Sequence, residues 1–286
     1  RLVALESGQP TMPTAVFYAV EGLAAHEEPQ RHYGRAAVAA YVEGIEGRLM
    51  RSMKSILGST LAQQSTEVGA GRSVRYLDVV GGYLRHLKRV AETQAGHELT
   101  CLVLGRPVYF VDDDAERDAA AQAALLQAAR EAGFSDIRLQ YEPIAAALNY
   151  ETTVQREQVV LVADIGGGTS DFSLVRVGPA RRRRAERKDD ILANHGVHVA
   201  GTDFDRHVEL ACMLPSCGYR SSGPGGREVP SKVYFDLATW HLINTVYAPA
   251  RVAELARMKS FHAEPQLHAR LMTVVNARLG HALLAQ

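Results

Sequence analysis

Cysteine is scarce. The 286 residues contain three, Cys101, Cys212 and Cys217. A small, odd set cannot build a disulfide framework, so a reducing compartment, the cytoplasm, is expected. Net charge is absent as well. Thirty-two Lys and Arg balance thirty-two Asp and Glu, so the chain as a whole has no electrostatic pull on nucleic acid, and no nucleic-acid partner is expected. No apolar run approaches the roughly 20 residues that span a bilayer, so no membrane partner is expected either. The chain lacks a starting methionine, opening at Arg1 and closing inside a helix-patterned stretch, 267–286. It reads as a fragment truncated at both ends, and the absence of a signal peptide therefore carries little weight. Hydrophobic residues are plentiful, at 47% against 22% charged. That is enough for a sizeable core, in one large domain or two ordinary ones.

The pattern along the chain is mixed. Pro10 and Pro13 cut residues 1–20 into extended segments. Apolar spacing through Val38, Tyr41, Val42, Ile45, Leu49, Met53 and Ile56 predicts a helix over 33–57, and Tyr76 to Val90 predicts another over 76–93, closed by Gly96. Leu99 to Leu104 reads as a buried strand. A helix is expected over 115–132, with Asp113 and Glu116 at capping-box spacing. A short strand follows at 137–139, and then a helix from Pro143 to Tyr150. This alternation points to an α/β layer. A polar hinge is expected at 155–158. Three strands joined by short turns are expected at 159–165, 172–177 and 191–199, then a helix at 203–214. Residues 215–230 read as a mobile Ser/Gly/Pro-rich loop, followed by helices over about 232–246, 249–261 and 265–286.

The most informative segment is Asp164-Ile165-Gly166-Gly167-Gly168-Thr169-Ser170-Asp171. Three glycines after a buried strand can turn successive N–H groups onto an anion such as phosphate. Thr169 adds a hydroxyl donor. Asp164 and Asp171 beside such a cradle make sense if hydrated Mg²⁺ bridges them to a nucleotide. A P-loop needs Gly-Lys-Ser/Thr and a following helix, and a dinucleotide-binding glycine loop also opens a helix. Here a strand follows, which excludes both.

The loop resembles the second phosphate motif of the actin/Hsp70/sugar-kinase superfamily. The segment from Tyr141 through Glu142, Pro143, Ile144 and Ala145 to Tyr150 resembles the Hsp70 Asn-Glu-Pro-Thr-Ala-Ala-Ala connecting motif. Ala200-Gly201-Thr202-Asp203-Phe204-Asp205 resembles Gly-Gly-Glu-Asp-Phe-Asp, and Lys54-Ser55-Ile56-Leu57-Gly58 resembles Lys-Arg-Leu-Ile-Gly. Leu104-Gly105-Arg106-Pro107-Val108-Tyr109-Phe110 stands where Hsp70 has its Val-Pro-Ala-Tyr-Phe segment. The matches keep family order over about 10–210. The chain is identified as an Hsp70-like ATPase domain of a divergent bacterial branch.

The resemblance implies an α/β, actin-like (ribonuclease H-like) two-lobed fold, incomplete here, with lobe I at 1–154 and lobe II at 155–286. It implies ATP or ADP with Mg²⁺ as cofactors, and client proteins and co-chaperones as partners. Gly166, Gly167, Gly168 and Thr169 inherit the contacts to the β- and γ-phosphates, and Gly201 and Thr202 the second-lobe approach to them. Asp164 and Asp171 match the carboxylates near Mg²⁺, reached through water. Lys54 matches the lysine that positions the attacking water, and Glu142 the interlobe carboxylate. Each has a plainer alternative. Lys54 could be a solvated helix lysine, Glu142 an acid favoured at a helix start, and Asp203 a cap.

The family's first phosphate loop, its adenine-stacking helix and its adenosine loop have no counterpart in the sequence. Gly225-Gly226-Arg227-Glu228-Val229-Pro230 lacks the hydroxyl residue of the adenosine loop and precedes the terminal helices. The fragment is therefore expected to bind ATP weakly or not at all, with hydrolysis left to the complete protein. An actin-like filament protein of the cell-shape type, or a non-catalytic Hsp70-like interaction protein, are the competing readings. The basic run 181–188 is read as a solvated hairpin turn. No metal-ligand spacing is evident among the eleven histidines or at Cys212 and Cys217, and His195 and His198 are placed on opposite faces of a strand.

Overall fold

The computed structural model describes residues 2–24, 27–51, 53, 57, 64–69, 71–111, 113–197, 199–240 and 242–284. It is a mixed α/β structure with several small sheets. The chain divides into two compact units, one of 1–164 with 171–195, the other of 165–170 with 196–286.

In the first unit β1 (Ala15–Ala19) pairs antiparallel with β2 (Gln30–Tyr33) and β3 (Gly47–Arg51). Strand alternation sends Ala15 and Phe17 toward Ala37 and Ala40 of helix α1 (Gly34–Val42). Val16 and Tyr18 go to the opposite side, with Met50, Val79 and Tyr83. The single helix expected over 33–57 is therefore corrected to strand, helix, strand. Gly44, at φ +78°, turns the chain out of α1. A Cβ on Gly47 would lie 2.1 Å from the Tyr18 carbonyl oxygen, so only glycine allows β3 to pair there.

A hairpin of β4 (Ser65–Gly69) and β5 (Arg72–Arg75) leads into α2 (Tyr76–Ala95), which Gly96 closes as the sequence predicts. Strands β6 (Cys101–Arg106) and β7 (Asp136–Tyr141) run parallel, from Cys101 opposite Asp136 to Arg106 opposite Tyr141. The crossover between them carries α3 (Ala115–Glu131), whose Ala121, Leu125 and Ala128 meet Leu77 and Leu84 of α2. The α3 cap is Asp114, which accepts from the Arg117 amide at 3.0 Å, rather than Asp113 as spacing suggested.

Helix α4 (Glu142–Glu151) follows β7 directly, with Pro143 in its first turn. Its Ile144 and Ala147 pack on Val175 and Val177. Strands β8 (Gln158–Ile165), β9 (Ser170–Val177) and β10 (Ile191–Val197) form one sheet in the order β10-β9-β8.

The basic run between β9 and β10 is only partly the solvated turn expected of it. Arg182, Arg183 and Arg184 are exposed, but Arg187 is buried. Arg187 pairs with Glu151 and Asp190, while Arg181 pairs with Glu157 and Asp190. Burying these charges is tolerable only because each acid and base finds its partner.

In the second unit α5 (Gly201–Val208) begins two residues before the expected position. The Asp203 carboxylate accepts from the Ala200 amide at 3.2 Å, so Asp203 closes the first turn. The helix continues through a π-turn (Glu209–Met213) and a 3-10 turn (Leu214–Cys217), ending at Gly218 with φ +105°. Residues 215–230 are not the loose loop that composition implied. Cys217, Tyr219 and Val229 enter the unit's core.

The remaining helices are shorter than the periodicity suggested. They are α6 (Lys232–Leu237), α7 (Ile243–Val246), α8 (Pro249–Arg257), α9 (Pro265–Asn276) and α10 (Gly280–Leu284). Arg278 at φ +53° breaks the last segment in two. Among the described residues, no helix is long and apolar enough to cross a membrane.

Candidate nucleotide site

Strand β8 carries the chain to Ile165, and residues 166–169 turn it into β9. So short a connection can only join antiparallel neighbours. The turn is closed by the Gly166 amide donating to the Thr169 carbonyl at 2.9 Å. Beneath it, buried Ser170 donates its hydroxyl to the Val199 carbonyl at 2.7 Å.

The start of α5 holds the other side of the turn. The Gly201 amide donates to the Gly166 carbonyl at 3.0 Å, and the Thr202 amide to the Gly167 carbonyl at 2.9 Å. The Thr202 hydroxyl donates to the same Gly167 carbonyl at 2.7 Å. Two segments separated by more than 30 residues of sequence, both singled out as phosphate-contacting, thus meet in the second unit. A Cβ on Gly201 would stand 3.2 Å from the Gly166 oxygen, so this approach favours glycine.

Gly167 and Gly168 differ from Gly201. A Cβ on either would meet nothing within 4 Å. Neither has a positive φ. Local packing therefore does not explain why they are glycines, whereas a bare, exposed stretch of backbone suits close approach by an anion. Anchoring of the Gly166 and Gly167 carbonyls to α5 fixes the turn while leaving the Cα surface at Gly167 and Gly168 open.

The carboxylates gather in the first unit. Glu142, Asp164 and Asp171 line one cleft together with Pro107, Val108, Pro143, Val162, Ser173 and Asn194. Each comes from a strand end: Glu142 opens α4 just after β7, Asp164 is next to last in β8, and Asp171 is second in β9. Glu142 reaches across Gly105, where a Cβ would come within 3.2 Å of its Oε1. Among the described residues, no lysine, arginine or histidine lines the cleft. Three like charges at one opening favour a cation or the protons of a polarised water there. Lys54, the remaining candidate, lies outside the described residues.

The donor set fits magnesium held through water rather than directly. Among the described residues no group of three or more His, Cys, Asp or Glu side chains could hold a metal ion. Mg²⁺ usually keeps several waters and needs only one or two carboxylates, which Asp164 and Asp171 can supply.

Three residues at or beside the cleft are given no role by the sequence, although Arg106 lies in the segment that stands where Hsp70 has Val-Pro-Ala-Tyr-Phe. Ser173 donates its hydroxyl to Asn194 Oδ1 at 2.7 Å, tying β9 to β10 on the cleft wall. Arg106 is buried behind Pro107. An isolated Ser, Asn or Arg has no diagnostic spacing, and only tertiary structure shows these positions.

Comparison with known proteins agrees with the motifs. The family model described as Hsp70 protein matches residues 31–211. The chain is 38% identical over 130 residues to a chaperone protein HscA homolog of Actinobacillus pleuropneumoniae serotype 5b (strain L20), covering 45% of this chain and 19% of that one. It is 31% identical over 215 residues to the HscA homolog of Haemophilus influenzae (strain PittGG), covering 71% and 32%. It is 37% identical over 127 residues to the chaperone protein DnaK of Thermosipho africanus (strain TCF52B), covering 44% and 19%. The aligned part thus spans a third or less of each of these relatives' length. With the family match extending over more than half of its residues, and with the glycine turn, its α5 anchor and the carboxylate cleft in place, this chain belongs to the Hsp70 family.

Proposed function

We propose that this chain forms the part of an Hsp70-like chaperone's nucleotide site that holds the terminal phosphates of ATP or ADP with Mg²⁺, and that the complete protein hydrolyses ATP. The observation that carries the reading is the pairing of the 166–169 turn with the start of α5. Gly201 and Thr202 occupy the carbonyls of Gly166 and Gly167. That leaves the open face of Gly167, Gly168 and Thr169 to donate to phosphate oxygens.

Bound Mg²⁺–ATP would supply the transferable phosphoryl group and the counter-charge for its oxygens. The protein's part is positioning and electrostatics, as in phosphoryl transfer generally. Asp164 and Asp171 would hold hydrated Mg²⁺ through its waters. Lys54 offsets phosphate charge and orients the attacking water. Glu142 senses whether the cleft is filled. All three cysteines are free, which suits the cytoplasm, where client proteins and co-chaperones would be met.

Isothermal titration of the protein as expressed from its own gene with Mg²⁺–ATP tests the reading. Saturable binding is expected, weakened at least about tenfold by Gly168→Val or Asp171→Asn, since each removes a charge-assisted contact or blocks the turn. No binding by the unaltered protein, or equal binding by both variants, overturns it.

A further inference from the structure

Arg106 ends β6 and is 7% exposed, an unusual place for a guanidinium. Its Nε donates to the Pro107 carbonyl at 2.9 Å, and its Nη2 to the Val108 carbonyl at 3.0 Å and to Asp118 Oδ2 at 3.1 Å. Its Nη1 donates to Gln122 Oε1. The guanidinium also lies over two rings, 5.2 Å from the centre of Phe110 and 5.1 Å from that of Tyr141. Asp118 completes the arrangement by accepting from the Phe110 amide at 2.6 Å.

Three of these contacts, to the Pro107 and Val108 carbonyls and to Tyr141, bear on the carboxylate cleft without Arg106 lining it. Pro107 and Val108 are one wall of the cleft. Both carbonyls of that wall are drawn inward onto the guanidinium, which sets the wall's backbone. Tyr141 sits opposite Arg106 in the β6–β7 register and immediately precedes Glu142. A planar cation against its ring fixes the strand end from which Glu142 departs. The same side chain therefore restrains two independent borders of the cleft, its wall and one of its three carboxylates.

We propose that Arg106 is a positioning residue for the carboxylate cleft, holding the Pro107–Val108 wall and, through Tyr141, the Glu142 carboxyl in their working geometry. The proposal rests on the nucleotide reading above. It differs from a purely structural role in what it demands of the side chain. Lysine cannot reproduce a planar fork that donates in several directions while its centre lies about 5 Å from two ring centres. A role through Tyr141 needs the ring and not its hydroxyl.

The test is steady-state ATP hydrolysis and Mg²⁺–ATP binding by the protein as expressed from its own gene, with thermal unfolding of each variant. Arg106→Met and Arg106→Lys are both expected to lower kcat by roughly tenfold or more, with the KM for Mg²⁺–ATP moving less than about threefold. Tyr141→Phe should keep activity, and Tyr141→Leu should fall with Arg106→Met. If Arg106→Met does not fold, Arg106→Lys and Tyr141→Leu carry the comparison. Variants that lose only thermal stability and keep kcat overturn the positioning role while leaving the nucleotide reading intact. An unaltered protein that binds no Mg²⁺–ATP overturns that reading first, and this proposal with it.

Discussion

Glu151 and Arg187 face each other through two hydrogen bonds, Nη2 to Oε1 at 3.0 Å and Nη1 to Oε2 at 3.1 Å, with both side chains almost closed to solvent. Glu151 ends α4 and also accepts from the Gly178 amide at 2.8 Å. The pair therefore joins the helix that begins at Glu142 to the connection between β9 and β10. Arg187→Met should destabilise the fold by about 3–5 kcal/mol, because it leaves the buried Glu151 carboxylate without its ion pair and Asp190 with Arg181 alone. Urea denaturation measures this. The double variant Glu151→Gln with Arg187→Met should recover part of the loss.

Arg182, Arg183 and Arg184 are exposed and differ from Arg187 in having no ion pair among the described residues. Replacing all three with serine should change stability by no more than about 0.5 kcal/mol per site, as for surface positions generally. The same triple variant should leave any affinity for duplex DNA or RNA at background, measured by fluorescence anisotropy at low salt. Tight, salt-sensitive binding that disappears in the variant would contradict the structural reading of this run.

Glu209 sits in the π-turn after α5, 1% exposed, and neither carboxyl oxygen has a hydrogen-bond partner among the described residues. Burial pushes its pKa up to about 7. The folded state thus holds a proton that the unfolded chain, near its ordinary carboxylate value, has already released. Stability from this group is fully present below about pH 4.5 and is lost as pH rises through about 7. The loss should be about 3 kcal/mol between those limits. Burial raises Cys217 and Tyr247, both close enough to feel Glu209, so they stay neutral across the window. His281, held low by burial on the helix packed beside the π-turn, stays mostly neutral above its ordinary value of 6.5. Glu209→Gln should flatten this component, so that the difference in unfolding free energy between the two proteins grows from pH 5 to pH 8.

Thr202 anchors the glycine turn twice, through its amide and through its hydroxyl. Thr202→Val keeps the first bond and removes the second, leaving shape nearly unchanged. Losing one hydrogen bond of about 0.5–1.5 kcal/mol should weaken Mg²⁺–ATP binding about two- to tenfold, with little change in melting temperature. Titration calorimetry beside a thermal scan separates the two effects.

The parts of the molecule that were legible in sequence are those fixed by local chemistry. The strand running into Asp164, the glycine turn and the helix opened by Pro143 all follow from period, glycine content and proline placement. The stretch 33–57 reads as one helix because Val42, Ile45 and Leu49 satisfy a helical period, while the decisive fact is long-range. Gly47 must lie against the Tyr18 carbonyl for β3 to pair with β1. Arg187 was hidden for a similar reason. Nothing in a run of arginines tells which one faces a glutamate 36 positions earlier. The carboxylates of the cleft were individually nameable from their motifs, but Ser173, Asn194 and Arg106 join them only through strand register and crossover geometry.

Glu142 leans into the space that a side chain at position 105 would claim. A side chain at 105 crowds that carboxyl, which must then shift by a few tenths of an ångström or more, and a shorter acid at 142 leaves the notch unfilled. The two positions are therefore under joint selection. Across descendants of this chain they should drift as a linked pair, glycine persisting wherever glutamate does and becoming dispensable wherever the acid has been exchanged.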